Sequence, residues 1–206
     1  MRSAQDNNIW RFEEDLRSKG HVLIAGIDEA GRGPLAGPVV SAAVILPENF
    51  VAKDITDSKK LTSKKRDHLF EYIMEKALHV GIGISDHSEI DATNILRASL
   101  FSMLKSVQNL GASPDFLLID GIFKIDSEIP QLPIKKGDSL SISIASASII
   151  AKVTRDRLMD EYDSKYPEFG FKAHKGYPTA AHREAISKHG VSPIHRKTFK
   201  GVKEWV

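Results

Sequence analysis

Cysteine is absent from this chain of 206 residues. Its absence excludes disulfides, thiolate nucleophiles, and zinc or iron-sulfur sites held by cysteine. Long apolar runs are missing too, since none approaches the roughly 18 residues that a membrane helix needs. Acidic residues occupy positions 13–15, where a signal peptide would have its apolar stretch. We therefore expect a cytoplasmic protein that makes no use of a membrane.

Net charge is small as well, at +2, and by itself indicates no class of partner. Its distribution is uneven, because the segment from Lys172 to Lys203 contains eight Lys or Arg and one acid, Glu184. That segment therefore carries +7, and the rest of the chain carries −5. A basic segment that includes Tyr177 and Phe199 suits a polyanion such as nucleic acid. A solvated basic face explains the same composition equally well.

The remaining composition, 41% hydrophobic and 27% charged, is that of a globular chain long enough for one core with a small appendage. Short apolar runs predict strands at residues 22–28, 39–46, 78–84, 116–119 and 133–135. Helical spacing predicts helices at residues 7–19, 63–77, 89–110, 143–162 and 179–188. We expect the third of these helices to bury Ile90, Ile95, Leu100 and Leu104. This order of elements predicts a three-layer α/β fold with a mixed sheet.

Residues 26–38, GIDEAGRGPLAGP, connect the first two predicted strands as the loop of a hairpin. Gly31, Gly33 and Ala36 fit the dinucleotide-binding fingerprint in its loosest form, but that motif needs a helix after the turn, and a strand-like run follows here. Gly26 and Gly31 have the spacing of a phosphate-binding loop, yet Arg-Gly follows where Lys-Ser or Lys-Thr is required. Both nucleotide interpretations are set aside.

Four carboxylates stand at the ends of predicted elements: Asp28, Glu29, Asp120 and Asp138. Adjacent strand residues point to opposite faces, so Asp28 and Glu29 can share a site only if the chain turns between them, and Ala30 with Gly31 is expected to supply that turn. Clustered carboxylates repel one another unless cations neutralise them. Hard oxygen ligands without Cys or paired His favour Mg²⁺ or Mn²⁺ over zinc. Each acid taken alone is better explained as the cap of a turn or a helix. A metal site is favoured because acids recur at several element ends in one chain.

The sequence resembles the ribonuclease HII family, of the ribonuclease H-like fold. The longest matching stretches are residues 28–39 (DEAGRGPLAGPV) and 147–156 (ASIIAKVTRD). Shorter matching stretches lie at residues 57–61, 118–121, 136–139, 174–177 and 192–196. The related HIII type usually has Gly-Lys-Gly in this loop and an extra N-terminal domain, and the HI type lacks the contiguous loop motif. The resemblance therefore covers nearly the whole chain beyond the first helix.

The resemblance implies an endonuclease that cuts the RNA strand of RNA/DNA hybrids and nicks DNA duplexes at embedded ribonucleotides, in ribonucleotide and RNA primer removal. It implies a two-metal-ion reaction with Mg²⁺ or Mn²⁺, and 5′-phosphate and 3′-hydroxyl products. The positions that carry the metal ions in the family match Asp28, Glu29, Asp120 and Asp138. Gly31, Arg32 and Gly33 would sense the ribose 2′-hydroxyl, and Tyr177 would pack on the sugar 3′ of the cut. Lys59, Lys60 and Lys175 fit phosphate contacts or, equally, a solvated surface.

We expect three parts: an N-terminal helix in residues 1–20, a ribonuclease H-like catalytic domain in residues 21–170, and a basic helical segment in residues 171–206 that packs on it. The sheet is expected to have five strands, flanked by helices. We expect a monomer without an obligate protein partner. Two other classes stay open on the residues alone, a non-catalytic duplex-binding module and a small-molecule hydrolase such as a phosphatase.

Overall fold

The structure, a computed structural model, describes residues 8–51, 55, 58 and 61–206. Its strands are β1 (Ile24–Ala30), β2 (Val39–Ile45), β3 (His79–Ser85), β4 (Phe116–Asp120) and β5 (Gln131–Ile134). Its helices are α1 (Arg11–Ser18), α2 (Ser63–Lys76), α3 (His87–Ala92), α4 (Ile95–Gln108), α5 (Ile142–Lys165), α6 (Phe171–His174) and α7 (Ala180–His189). Short 3₁₀ turns span Gly137–Ser139, Pro167–Phe169 and Lys203–Trp205.

The five strands form one mixed sheet in the order β3-β2-β1-β4-β5. Strand β2 pairs antiparallel with both β1 and β3, which confirms the predicted hairpin. Strands β1, β4 and β5 run parallel to one another. Their carboxyl ends therefore meet at one edge of the sheet, the edge at which α/β folds commonly place functional groups.

Helices cover both faces of this sheet, which confirms the predicted three-layer α/β fold. Every residue of β2 is buried, because a strand covered on two faces has no solvent side. Its alternate residues Ala42 and Val44 face a core shared with α2 and α5, whereas Ala43 and Ile45 face a core shared with α4. The sheet is thus a rigid support between two hydrophobic layers.

Helix α5 lies directly against β1. A Cβ added at Gly26 would lie 2.1 Å from the backbone carbon of Ser143, so only glycine permits this approach. Helix α1 anchors the same end of α5, because the buried Glu13 carboxylate accepts hydrogen bonds from Ser141 Oγ at 2.6 Å and from the Ser143 amide at 3.0 Å. These contacts fix the start of α5 over β1.

The prediction of one helix over residues 89–110 was wrong. The chain forms α3 and then α4, and Asn94 between them accepts a hydrogen bond from the Arg97 amide as the N-cap of α4. Among the residues expected to be buried in this region, Ile90 is buried, but Ile95, Leu100 and Leu104 are only half-buried. The residues of α4 that face the sheet are instead mostly small. The helix backbone therefore lies close to β3, and a Cβ on Gly83 would lie 2.0 Å from the carbonyl oxygen of Ser102.

The basic C-terminal segment packs on residues 31–38, between β1 and β2, and on the end of α5. A further apolar cluster forms this contact. Leu35, Ala36 and Met159 contribute from the preceding chain, and the segment contributes Phe171, Ile186, Ile194 and Val202. Backbone pairing adds to this contact, because Ala36 and His195 form an isolated antiparallel bridge. No described helix combines the length and the apolar character needed to cross a membrane.

Candidate active site

Three of the four predicted carboxylates meet at the carboxyl edge of the parallel strands. Oxygen atoms of Asp28, Glu29 and Asp120 all lie within 4.8 Å of one another. Asp28 and Asp120 are neighbours because the parallel pairing of β1 and β4 ends one residue earlier, at Ile27 and Ile119. The structure therefore brings together acids that are 92 positions apart in sequence.

The turn expected between Asp28 and Glu29 is absent: β1 continues to Ala30, which still pairs with Val40. That expectation was wrong, because the side chains, and not a turn of the backbone, bring the two carboxylates together. The Asp28 Oδ1 atom accepts a hydrogen bond from the Glu29 amide at 2.7 Å, so the carboxylate bends along its own backbone toward the next residue. The two carboxylates converge although their Cβ atoms leave opposite faces of the strand.

Asp138 lies next to this group without belonging to it. It is buried in the 3₁₀ turn Gly137–Ser139, and its Oδ1 accepts a hydrogen bond from Ser139 Oγ at 3.2 Å. The preceding Gly137 amide donates to Asp120 Oδ1 at 2.7 Å, which ties this turn to the carboxylate cluster. Its assignment as a fourth ligand stays a prediction.

The electrostatics of the cluster fit a divalent cation. Burial raises the pKa of Asp28 well above its ordinary value, and repulsion from Glu29 and Asp120 raises it further, while hydrogen bonds from Ser148 and the Glu29 amide lower it. A bound cation would offset this repulsion and keep the carboxylates ionised. All three ligand groups are hard oxygen donors, the donor type that Mg²⁺ and Mn²⁺ prefer.

A cavity of about 230 Å³ adjoins the carboxylates and contains most of the predicted recognition residues. Its wall includes Glu29, Gly31, Arg32, Gly33, Ser58, Ser148, Lys152 and Tyr177. Arg32 is about half exposed, and its Nη1 lies 3.3 Å from Glu29 Oε1. The predicted sensor of the sugar and the predicted metal ligands therefore share one depression, with Glu29 common to both.

Gly31 and Gly33 are required for different reasons. Gly31 has φ of +100°, and an added Cβ would lie 2.1 Å from Arg155 Nε and 2.7 Å from the Pro38 carbonyl oxygen. Among the described residues, a Cβ on Gly33 would meet only Tyr177 Cε1, at 3.6 Å, which is an ordinary contact. Gly31 is thus a requirement of folding, whereas Gly33 keeps open the space in front of the Tyr177 ring.

Two fully buried arginines hold the loop of residues 31–38, which we call the hairpin loop. Arg196 donates hydrogen bonds to five of its carbonyl oxygens at 2.6 to 3.2 Å, those of Gly31, Arg32, Pro34, Gly37 and Pro38. Arg155 on α5 donates to the carbonyl oxygens of Ala36, Pro38 and Lys175. Burial lowers the pKa of Arg155 to about 10 and that of Arg196 to about 9. Both stay cationic at neutral pH.

These arginines were missed as site residues in the sequence. Both lie inside the stretches that carry the resemblance, 147–156 and 192–196. Arg196 was counted toward the basic face instead. No local signal marks either arginine as buried, because Arg155 stands between Thr154 and Asp156, and Arg196 between His195 and Lys197. Ser148 and Lys152 were also missed as site residues. Lys152 pairs with Asp156 at 2.6 Å, and burial is the main cause that lowers its pKa.

Of the three predicted phosphate-binding lysines, the structure describes Lys175. Lys59 and Lys60 lie outside the described residues. Lys175 forms an ion pair with Asp160 of α5, and its backbone has the left-handed conformation, with φ of 52°. A phosphate contact by Lys175 would compete with that ion pair, so its assignment stays a prediction.

Solved structures of similar fold define the class. Ribonuclease H2 from Pyrococcus horikoshii aligns with a TM-score of 0.76 and 28% identity, over 89% of this chain and 96% of that one. The ribonuclease HII chain of a PCNA complex from Archaeoglobus fulgidus aligns with a TM-score of 0.74 and 26% identity, over 87% and 96%. The fold is that of the ribonuclease H-like nucleases.

Sequence comparison gives the family. The family model described as ribonuclease HII matches residues 25–202. Ribonuclease HII of Geobacter metallireducens is 57% identical over 201 residues, which cover 98% of this chain and 94% of the relative. The chain belongs to the ribonuclease HII family, and it is accordingly a metal-dependent endoribonuclease. The resemblance stated from the sequence is confirmed.

Proposed function

We propose that this chain hydrolyses the RNA strand of RNA/DNA hybrids and nicks DNA duplexes at embedded ribonucleotides. The products would have 5′-phosphate and 3′-hydroxyl ends. The observation that carries the proposal is the position of Glu29, which belongs both to the carboxylate cluster and to the wall of the cavity that Gly31, Gly33 and Tyr177 line. A phosphate held at the acids would place its neighbouring sugar at this cavity.

The carboxylates of Asp28, Glu29 and Asp120, together with Asp138, would hold two divalent ions, Mg²⁺ or Mn²⁺. Such ions supply Lewis-acid charge that lowers the pKa of an attacking water and stabilises a leaving 3′-oxygen. The chain contributes the placement of the ligands: the parallel strands fix Asp28 and Asp120, and the Gly137 amide holds the Asp120 carboxylate by its Oδ1 atom. The acids would bind and orient the ions, whose charge would offset the repulsion that raises the pKa of Asp28.

The hairpin loop would distinguish ribose from deoxyribose. Proteins distinguish RNA from DNA by contact with the 2′-hydroxyl, which lies in the minor groove. Of Gly31, Arg32 and Gly33, only Arg32 has a side chain, and it is half exposed, so the backbone of the two glycines is open to that contact. Arg196 holds the carbonyl groups of Gly31 and Arg32 from behind, at 2.6 and 3.0 Å. The loop is therefore preorganised before substrate binds, which lowers the free-energy cost of ordering it on binding. Tyr177 would pack on the sugar 3′ of the cut.

The basic segment 171–206 would add charge for the duplex backbone, as would Lys59, Lys60 and Lys175, because phosphate contacts position a duplex without reading sequence. We keep the division into residues 1–20, 21–170 and 171–206 as part of this proposal. The cellular role would be removal of ribonucleotides and RNA primers in the cytoplasm. The chain would act as a monomer without an obligate protein partner.

One assay separates this proposal from a duplex-binding module and from a phosphatase. The protein is incubated with an RNA/DNA hybrid and with a DNA duplex that contains one ribonucleotide, in Mg²⁺, in Mn²⁺ and in chelator. We expect metal-dependent cuts at ribonucleotides in both duplexes, with 3′-hydroxyl ends. Binding without cleavage would favour the module, and activity on single strands and small phosphate esters would favour the phosphatase. Ends with 2′,3′-cyclic phosphate would contradict the proposed chemistry, since the 2′-hydroxyl would then be the nucleophile.

A further inference from the structure

Three histidines lie behind the turn that presents Tyr177. His174 ends α6, His182 lies in the first turn of α7, and His195 lies beside the hairpin loop. His182 and His195 are fully buried, and their Nε2 atoms are 3.0 Å apart. His174 stacks on His182 with ring centroids 4.4 Å apart. All six ring nitrogens have hydrogen-bond partners, so the group is a hydrogen-bond network rather than an open metal site.

The direction of this network can be deduced from each end. The Ser192 amide, which can only donate, lies 2.8 Å from His195 Nδ1, so the proton of neutral His195 is on Nε2. The Tyr177 carbonyl oxygen, which can only accept, lies 2.9 Å from His182 Nδ1, so the proton of neutral His182 is on Nδ1. The two deductions agree, since His195 Nε2–H then donates to His182 Nε2. The two rings form a chain that ends at the backbone of Tyr177.

Both ends of this chain are attached to the recognition site. The His195 backbone bridges to Ala36 of the hairpin loop, and the Leu35 amide donates to the Gly176 carbonyl oxygen at 2.8 Å. The Tyr177 carbonyl also accepts from the amide of Thr179, the N-cap of α7, at 2.8 Å. Tyr177 is thus fixed relative to Gly33 through two routes, one along the backbone and one through the imidazole pair.

The pair works only while both rings are neutral. A second proton on His182 would set two N–H groups against each other across the 3.0 Å contact, and a second proton on His195 would set its Nδ1–H against the Ser192 amide at 2.8 Å. Burial lowers the pKa of both rings to about 4, which keeps them neutral near physiological pH. The titratable group that faces the pair is His174, the last residue of α6; His189 of α7 contacts Phe169 instead.

We propose that His182 and His195 are positioning residues for Tyr177, holding its ring at the distance from Gly33 that seats the sugar next to the cut. The inference rests on the proposed function for its effect on cleavage. The imidazole chain itself does not depend on that function and can be measured without substrate. Neither histidine touches the cavity or the carboxylates; each acts through the Tyr177 backbone.

The first test is the tautomeric state of the rings in the unaltered protein. The full chain is labelled with ¹⁵N-histidine, and the ring signals are assigned by single His→Phe variants. At pH 7 we expect His182 with its proton on Nδ1 and His195 with its proton on Nε2, both unprotonated down to about pH 5. The same tautomer in both rings, or ordinary titration near pH 6.5 in either, would overturn the proposal. Loss of cleavage activity would not affect this result.

The second test is a double-mutant cycle on cleavage of a duplex with one ribonucleotide. His182→Phe keeps a ring of similar size but removes both hydrogen bonds, and His189→Phe, at an exposed position two turns along the same helix, is the control. We expect His182→Phe to lower kcat about tenfold, because small displacements of a positioning group are costly, with KM changed less than about twofold. His189→Phe should leave both constants unchanged.

The cycle is completed with Tyr177→Ala. If the histidines act through Tyr177, the double variant is no slower than Tyr177→Ala alone, because contacting sites that share one role are not additive. His182→Asn, which keeps an N–H near the Nδ1 position, should recover part of the rate. Multiplicative effects, measured per folded molecule, would show that His182 acts independently of Tyr177 and would overturn the proposal. An unaltered protein that cuts no ribonucleotide would instead contradict the proposed function.

Discussion

The carboxylate cluster and the hairpin loop lie on the same cavity but are held in place in opposite ways. The cluster gathers like charges that repel one another, and the sheet holds them by its strand register. The hairpin loop gathers carbonyl oxygens, and two buried cations hold it through seven hydrogen bonds. The cluster therefore needs bound cations to balance its negative charge. The loop needs none, because the buried guanidinium groups of Arg155 and Arg196 already bind its carbonyl oxygens.

This difference separates chemistry from recognition. A site that must bind divalent ions has to retain unbalanced negative charge, which costs stability in the absence of metal. A surface that must meet a sugar edge at van der Waals distance has to be rigid, which buried and fully hydrogen-bonded arginines achieve. Substitutions in the cluster should therefore affect metal binding and leave the fold intact. Substitutions under the loop should affect folding and leave metal binding intact.

The largest effect is expected from Asp120→Asn. Loss of this ligand charge should lower the cleavage rate by about three orders of magnitude, which corresponds to ~4 kcal/mol of transition-state stabilisation. The free energy of unfolding in chelator should not fall, because repulsion with Asp28 is relieved. Single-turnover cleavage and urea unfolding measure the two quantities. Unfolding of the variant with unchanged activity per folded molecule would mean that Asp120 is only a cap.

Arg196→Met should destabilise the fold by about 3–5 kcal/mol, because five buried carbonyl groups lose their shared donor. The control is Arg157→Met on α5, where an exposed arginine pairs with Glu71 at 3.0 Å. That control should cost less than about 1 kcal/mol. Urea unfolding compares the two variants, and equal losses would mean that the buried arginine does not hold the hairpin loop.

The two glycines of the loop provide a finer contrast. Gly31→Ala should cost about 2–3 kcal/mol, because alanine at φ of +100° is strained and its Cβ meets Arg155. Gly33→Ala should change the free energy of unfolding by less than about 0.5 kcal/mol, since its Cβ has room. It should nevertheless slow cleavage at a single ribonucleotide, because the methyl group occupies the space in front of Tyr177. A destabilised Gly33→Ala with normal cleavage would reverse these assignments.

The smallest expected effect is a difference in pH dependence without metal. His182 and His195 have pKa values of about 4 in the folded chain and 6.5 as their ordinary value, so the unfolded chain takes up protons first, and stability falls as pH falls from 6.5 to 4. The raised pKa of Asp28 acts in the opposite direction, since the folded chain takes up that proton first. Asp28→Asn should therefore lose stability more steeply than the unaltered chain on acidification. Parallel pH profiles in urea unfolding would contradict this.

The fold was largely predictable because its signals are local. All five strands are short apolar runs, and each was found within three residues of its bounds. The missed break at Thr93 and Asn94 also has a local cause, since Asn94 is a helix cap, but continuous helical spacing across it hid the signal. The half-buried Leu100 and Leu104 were misjudged because Gly81 and Gly83 let the α4 backbone approach β3, and that depends on a partner strand.

In the site, element ends predicted the acids, but nothing local predicted the support of the loop. Asp28 and Asp120 follow apolar strands, a pattern visible in the sequence. Arg196 reaches Gly31 from 165 positions away, and arginine is rarely fully buried. Only the fold reveals that seven carbonyl oxygens point toward two guanidinium groups. The same holds for the histidine pair, whose members are 13 positions apart and whose hydrogen bond depends on how α7 packs.

The central claim, that the acids hold metal while the hairpin loop selects the sugar, is tested most directly by Mn²⁺ titration calorimetry on two variants. Asp28→Asn should lose most of its Mn²⁺ affinity. Gly33→Ala, although slow in cleavage, should bind Mn²⁺ as the unaltered chain does. A Gly33→Ala variant that binds Mn²⁺ as weakly as Asp28→Asn would contradict the claim, because the loop would then be part of the metal site.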